Sequence, residues 1–192
     1  MKKILTILVV LVLLILWLWV YFGFFSEIKF EDKQTWPYDI IYKIHTWDYT
    51  KLSEVFTEID WLLFKNWVES IQGIGVYFSD PKTVIKENMV SVLWFVTSGM
   101  TQEQFDNLKL LDSNLRHSVL NITDSIVTSF PYKNNVSLMI WPMVIYPKID
   151  NYMIQNNMKP VPIMEIYDIQ ENKKIYFIVV KDENYYNSLL IY

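Results

Sequence analysis

The chain has 192 residues, a formal net charge of −4 and no cysteine. Its single arginine is Arg116 and its acids outnumber its bases, so it lacks the basic footprint of a nucleic-acid binder. Without cysteine there are no disulfides, thiolate metal sites or cysteine nucleophiles, and the 17% aromatic content suits both a core and an aromatic-lined cavity.

The first predicted element is a helix over Ile4 to Phe25, a run of 22 uncharged residues with one hydroxyl, Thr6, outside the terminal tyrosine. Its length as a helix is about 33 Å at 1.5 Å per residue, enough to cross a hydrocarbon core of roughly 30 Å. A lone segment crosses only as a helix, because its backbone polar groups must pair internally. Trp17, Trp19, Tyr21, Phe22, Phe24 and Phe25 crowd the C-terminal half, where rings favour the headgroup zone. The competing reading is a cleaved signal peptide, but the run is too long and no small-x-small cleavage site follows. Residues 1–25 are therefore read as a single transmembrane anchor in contact with the lipid bilayer through 4–25. Lys2 and Lys3 precede the span, which places the N-terminus in the cytoplasm and the domain outside.

Residues 26–37 are a short polar connection ending in Trp36-Pro37, too short for a flexible tether. About 160 residues then remain, enough for one domain with a substantial core. Asp39 to Trp47 has the β-branched and aromatic content of a strand. Thr50 to Val68 switches to a helical period, with Leu52, Val55, Phe56, Ile59, Leu62 and Leu63 on one face and Asp48 or Thr50 as N-cap. Gly73 and Gly75 open a second strand that ends at Ser79-Asp80-Pro81, and Met89 to Thr97 is a third, apolar on both faces. Ser98 to Ser118 reads as a loop with one helical turn.

Val119 to Tyr132 reads as one strand, and Ser137 to Asn156 as a helix. Pro142 and Pro147 predict that this helix either kinks or starts near Pro142. Ile163 to Tyr167 and Ile175 to Val180 form a hairpin. Residues 188–192 are a C-terminal tail whose apolar side chains can pack back. The order strand, helix, strand, strand thus occurs twice. The predicted fold class is α+β: duplicated strand-helix-strand-strand modules forming one antiparallel sheet with two helices on one face. A groove between the modules is expected on the face away from the helices.

Several motifs carry a resemblance. The stretch Gly75-Val-Tyr-Phe-Ser-Asp-Pro81 resembles the Tyr-x-Asp-x-Pro type of turn in the GyrI-like, or effector-binding, domain superfamily. Ser129-Phe-Pro-Tyr132, Ile140-Trp141, Tyr146-Pro147, Asp150-x-Tyr152 and Pro162-Ile-Met-Glu-Ile-Tyr167 resemble its membrane-anchored branch, which includes the testis-expressed ER-phagy receptor. The resemblance covers residues 36 to 187. It implies the duplicated fold over 38–187, a small-molecule cavity between the modules, and a glutamate on a late strand facing that cavity, here Glu165. Relatives bind hydrophobic cations, inhibit gyrase, serve as effector domains of regulators or hydrolyse small ring compounds. The regulator role is not carried over, because no helix-turn-helix segment is present. The branch's receptor holds its domain in the cytosol, opposite to the orientation that Lys2 and Lys3 predict.

Glu165 is the strongest candidate on physical grounds. It shares a strand face with Ile163 and Tyr167, while Met164 and Ile166 share the other, which suits the helices. A carboxylate among apolar groups needs a partner. It can attract a cation beside aromatic faces, or, with a raised pKa, exchange a proton; the plain alternative is a structural or solvent-facing glutamate. Tyr167, Tyr77, Trp141 and Tyr132 are candidate walls, with core packing as the alternative for each. Asp80 is either a ligand contact or simply a turn residue. The histidines, His45 and His117, have no nucleophile elbow or zinc spacing around them. Asn121-Ile-Thr123 and Asn135-Val-Ser137 match the glycosylation pattern. The expected activity is capture of a small, partly apolar molecule, cationic in the sharpest version, without cofactor or metal. A membrane-held interaction scaffold with a protein partner is the alternative, and a small-molecule hydrolase the third.

Overall fold

The computed structural model describes residues 2–35, 37–80, 83–168 and 172–190. Helix α1 spans Lys2–Tyr21 and none of its residues is buried. It is long and apolar enough to cross a membrane. Strand β1 (Glu31–Gln34) lies within the polar connection and pairs with a later strand. The first module is β2 (Tyr38–Thr46), α2 (Leu52–Lys65), β3 (Ser70–Tyr77) and β4 (Val90–Thr97). Next come α3 (Gln102–Leu111) and β5 (Arg116–Leu120). The second module is β6 (Asp124–Pro131), α4 (Asn135–Gln155), β7 (Ile163–Asp168) and β8 (Lys174–Val180), followed by the short α5 (Asn187–Leu190). Among the described residues the strands form one eight-stranded antiparallel sheet in the order β1-β6-β8-β7-β3-β4-β2-β5. The modules meet where β3 pairs with β7, with Gly75 opposite Glu165.

The two long helices cover one face, as the sequence predicts. Leu52, Ile59, Leu62 and Leu63 of α2 pack on Ile41, Leu93 and Phe95. Trp141, Val144, Ile145, Ile149 and Met153 of α4 pack on Phe130, Ile163, Ile175 and Phe177. Between α2 and the sheet, Lys43 is buried against Asp112 and Glu58.

The other face is internal, because the sheet curls. Strands β5 and β6 stand six places apart in the order, about 29 Å at ~4.8 Å per strand. The 121–123 connection reaches only about 14 Å at ~3.6 Å per residue. The two ends of the sheet must therefore approach each other. They do: Tyr38 of β2 and Leu120 of β5 share one core cluster with Ile178 and Val180 of β8, next to β6 in the order. The enclosed face buries Ile40, Trp94, Met164, Ile166 and Ile178, and Tyr186 and Leu189 of the C-terminal segment fill it.

Four expectations change. Residues 102–111 form a three-turn helix rather than a loop, opened by the reciprocal Thr101–Gln104 cap. Residues 119–132 are not one strand, since 121–123 separate β5 from β6 on opposite ends of the order. Helix α4 starts at Asn135 and runs through both prolines. Asn134 and Ser137 cap it, Pro147 is exposed, Pro142 is half-buried, and the buried stripe on the opposite side holds the helix together. Finally, the Met164/Ile166 face lies inside the curl and not beneath the helices. That inverts the expected placement of Glu165 and of the groove.

Candidate functional site

Glu165 lies on the helix-bearing face of β7 at the junction of the modules. Its face-mate Ile163 belongs to the cluster under α4. Its cross-strand neighbours are Gly75 and Phe177. The residue is completely buried. The Tyr146 hydroxyl, from α4, donates to Oε1 at 2.6 Å, and the Tyr167 hydroxyl donates to Oε2 at 2.5 Å. The Tyr77 hydroxyl lies 3.1 Å from that of Tyr167; since Tyr167 spends its proton on Glu165, Tyr77 is the donor of this pair. Tyr49 meets the Tyr77 ring edge-on at 5.1 Å. Its own hydroxyl is fixed by the Ser79 carbonyl at 2.9 Å and the Ser79 amide at 3.1 Å. Phe56 of α2 covers Tyr167 edge-on at 6.0 Å. The two modules thus supply one chain of phenols that ends on one carboxyl group.

Gly75 makes this possible. A Cβ there would sit 2.8 Å from the Tyr77 hydroxyl and 3.0 Å from its ring. The missing side chain lets Tyr77 fold back over its own strand toward Tyr167. A glycine inside a strand is the usual mark of such a close approach.

Burial pushes the Glu165 carboxyl up to about 8, with the Tyr146 and Tyr167 hydrogen bonds pulling the other way. Its oxygens are held by neutral phenols rather than by a lysine or arginine. The hydroxyls of Tyr77, Tyr146 and Tyr167 are pushed well above the ordinary phenol value, first by burial and then by the Glu165 charge. They act as donors, and Glu165 is the group whose charge can change near neutral pH.

Of the residues named from sequence, Glu165, Tyr167 and Tyr77 come together. Trp141 is one ring removed: it is buried between Tyr146, at 5.5 Å, and Phe177, at 4.8 Å, and its indole N–H has no partner. Tyr132 stands apart before α4 and donates to Asn135 Oδ1 at 2.9 Å. Asp80 is exposed in a turn, its carbonyl accepting from the Thr83 and Val84 amides. Pro81, the other half of that turn signal, lies outside the described residues. Tyr146, Tyr49 and Gly75 were not singled out for the site. The usable signal was Gly75 between Ile74 and Val76, which announces a close approach without naming the ring that makes it.

Two hollows lie elsewhere on the surface. One of 660 Å³ is lined by Asp32, Tyr152, Lys159 and Glu183 beyond the end of α4, and a shallow one of 510 Å³ lies on α2 beside Trp61. Among the described residues no cluster of His, Asp and Glu could hold a metal ion.

No family model matches the sequence. No curated protein matches it either. Solved structures do match. The C-terminal domain of EcmrR superposes with a TM-score of 0.59 over 81% of this chain and 98% of that one, at 9% identity. The fold is GyrI-like. A hydrolase from Listeria innocua matches with a TM-score of 0.53 over 80% of this chain and 91% of its own, at 10% identity. An uncharacterized conserved protein from the same organism gives 0.55 over 79% and 92%, at 11% identity. At these identities the likeness establishes the fold and nothing finer.

Proposed function

We propose that this chain is a membrane-anchored effector-binding domain of the GyrI-like superfamily, belonging to its membrane-anchored branch. Its ligand is a small, partly apolar cation, taken up between α2 and α4 above Glu165. Residues 1–25 form the anchor, 26–37 the connection, 38–187 the ligand-binding domain and 188–192 the tail. The N-terminus faces the cytoplasm and the domain lies outside; protease protection of the domain in intact cells would contradict that orientation.

One observation carries the reading: a fully buried carboxyl group at the module junction, held by two phenols and, among the described residues, by no cation. Burying a carboxyl without a counter-ion is costly, and a cation arriving beside it relieves that cost. The phenols hold the place meanwhile. Tyr77 and Tyr167 are not fully buried, and this leaves them room to yield to a ligand. On binding they turn aside, the carboxyl ionises, and their ring faces stay beside the charge.

The test is calorimetry on the full chain in detergent micelles, with a lipophilic quaternary ammonium and its neutral isostere as probes. The ammonium should bind and the isostere should not. Because free Glu165 titrates near 8, binding at pH 7 should release a proton, read as a dependence of the heat on buffer ionisation enthalpy. Glu165→Gln should abolish the preference for the cation. Equal binding of both probes, or an unchanged Glu165→Gln variant, would defeat the proposal. The filled junction favours a second reading, a membrane-held protein scaffold, and that reading gains if neither probe binds. Hydrolysis is the third reading. It requires turnover that Glu165→Gln abolishes while binding survives.

A further inference from the structure

We infer that the domain docks onto the surface of the bilayer that holds its anchor, through two apolar prongs. These are the C-terminal end of α2 with Trp61, Phe64 and Trp67, and the N-terminal half of α4 with Val136, Met139 and Met143. The inference rests on the membrane-anchored reading above.

The sheet register brings the prongs to one end of the domain. Gly73 pairs with Tyr167, Tyr167 with Ile175, and Ile175 with Phe130, so these residues form one row across four strands. Helix α2 ends at Lys65, shortly before the β3 end of the row. Helix α4 begins at Asn135, shortly after the β6 end. The anchor leaves its helix at the same place: a Cβ on Gly23 would stand 3.2 Å from the Phe130 ring and 3.3 Å from Pro131. Lys133 lies 4.5 Å over the Tyr21 ring, and Lys148 donates to the Ser26 carbonyl at 3.4 Å. The end of the domain carrying both prongs is therefore the end nearest the point where α1 meets the headgroups.

The side chains suit that surface. Phe64, Trp67, Met139 and Met143 are 79, 91, 71 and 70% exposed. Trp67 stands in a left-handed conformation, φ 56°, just past the end of α2, a position glycine fills more easily. That conformation holds the indole clear of the domain. On the outer side of α4, Val136, Met139 and Met143 are exposed in the half nearest the anchor, and Asp150, Asn151 and Ile154 are exposed farther on. Lys65 lies 4.6 Å over the Trp61 ring, and Lys174 of β8 stands opposite Pro131 of β6 on one side and Asp168 of β7 on the other. Aromatic and long apolar side chains mixed with lysine are the composition of an interfacial membrane contact.

The absence of native cysteine makes the test direct. Single spin labels are placed at Phe64→Cys, Met139→Cys, Leu11→Cys and Ile154→Cys in the full chain, reconstituted into lipid nanodiscs. All four positions are exposed, so the labels disturb no core. Collision with oxygen, which concentrates in lipid, is compared with collision with a water-soluble nickel chelate. Met139 and Ile154 are about 22 Å apart along α4, so one helix supplies probe and control. Oxygen collisions should dominate at Leu11, Phe64 and Met139, and nickel collisions at Ile154. Nickel dominance at Phe64 and Met139 with Leu11 still in lipid would overturn docking and leave anchoring intact. Nickel dominance at Leu11 would overturn both. Shielding of Phe64 and Met139 from both reagents, with dipolar broadening, would assign the surface to a second copy and overturn the bilayer assignment.

Discussion

Burial of Glu165 makes the stability of the domain fall as pH rises through neutrality. The carboxyl titrates near 4.5 when unfolded and at about 8 when folded. Between those values the folded chain holds a proton that the unfolded chain has lost, so each step up in pH favours unfolding. At 1.36 kcal/mol for each tenfold change in proton affinity, the folded state loses on the order of 5 kcal/mol across the window. The loss begins near pH 4.5 and is complete above about 8. Glu31, Asp48 and Asp112, held below the ordinary carboxyl range chiefly by neighbouring lysines, act in the opposite sense and only at lower pH. These three acids therefore do not mask Glu165 in the window from 5 to 9.

The assay is thermal unfolding of the full chain in detergent micelles, followed by near-ultraviolet circular dichroism. A domain of this size shifts by roughly 2–4 °C per kcal/mol, so the midpoint should drop by roughly 10–20 °C between pH 5 and pH 9. Glu165→Gln removes the titrating group and should flatten the profile. Tyr146→Phe removes a hydrogen bond to the charged form, so the fall should continue to higher pH. An equal drop in wild type and Glu165→Gln would refute the reasoning, because the fall would then arise elsewhere.

Three further predictions follow from packing. Gly75→Ala forces the Tyr77 ring away from Tyr167 and should cost about 1–3 kcal/mol in denaturant unfolding. It should also weaken binding of the quaternary ammonium probe. Lys43→Met leaves Asp112 largely buried without its cation and should cost about 3–5 kcal/mol, with much of the loss recovered in the Lys43→Met, Asp112→Leu double variant. Leu189→Ala opens a cavity inside the curled sheet and should cost about 2–5 kcal/mol; a loss near zero would show that the C-terminal segment is not part of the core.

The double module was legible because its period changes are sharp. The apolar stripe from Leu52 to Leu63 sits between strands of β-branched and aromatic residues, and the pattern recurs from Asp124 onward. What failed to show were features set by distant contacts. Nothing local in Arg116 to Ser118 signals a strand; these residues join one by pairing with β2, where Ile41 stands opposite His117. The prolines of α4 argued for a break, and tertiary packing of Trp141, Val144 and Ile145 overrode them. The alternation around Glu165 divided the strand into its two faces correctly. It could not say what covers each face, because Tyr186 and Leu189 reach Met164 and Ile166 only through the curl of the sheet.

The register at the module junction explains why the site is asymmetric although the fold is duplicated. A two-fold axis through the Gly75–Glu165 pair relates the two strands by a shift of 90 residues, so Gly75 is the counterpart of Glu165, and Tyr77 that of Tyr167. A second carboxylate at 75 would stand about 5 Å from the first and repel it. Glycine at 75 removes this conflict and opens the first module's strand. The Tyr77 ring enters the opening at Gly75, and its hydroxyl meets that of Tyr167 across the junction. The second module supplies the charge and its two direct donors, and the first supplies space and the outer phenols. Neither half alone contains the site, so a variant that separates β3 from β7 should lose the ligand before it loses either module's own helix packing.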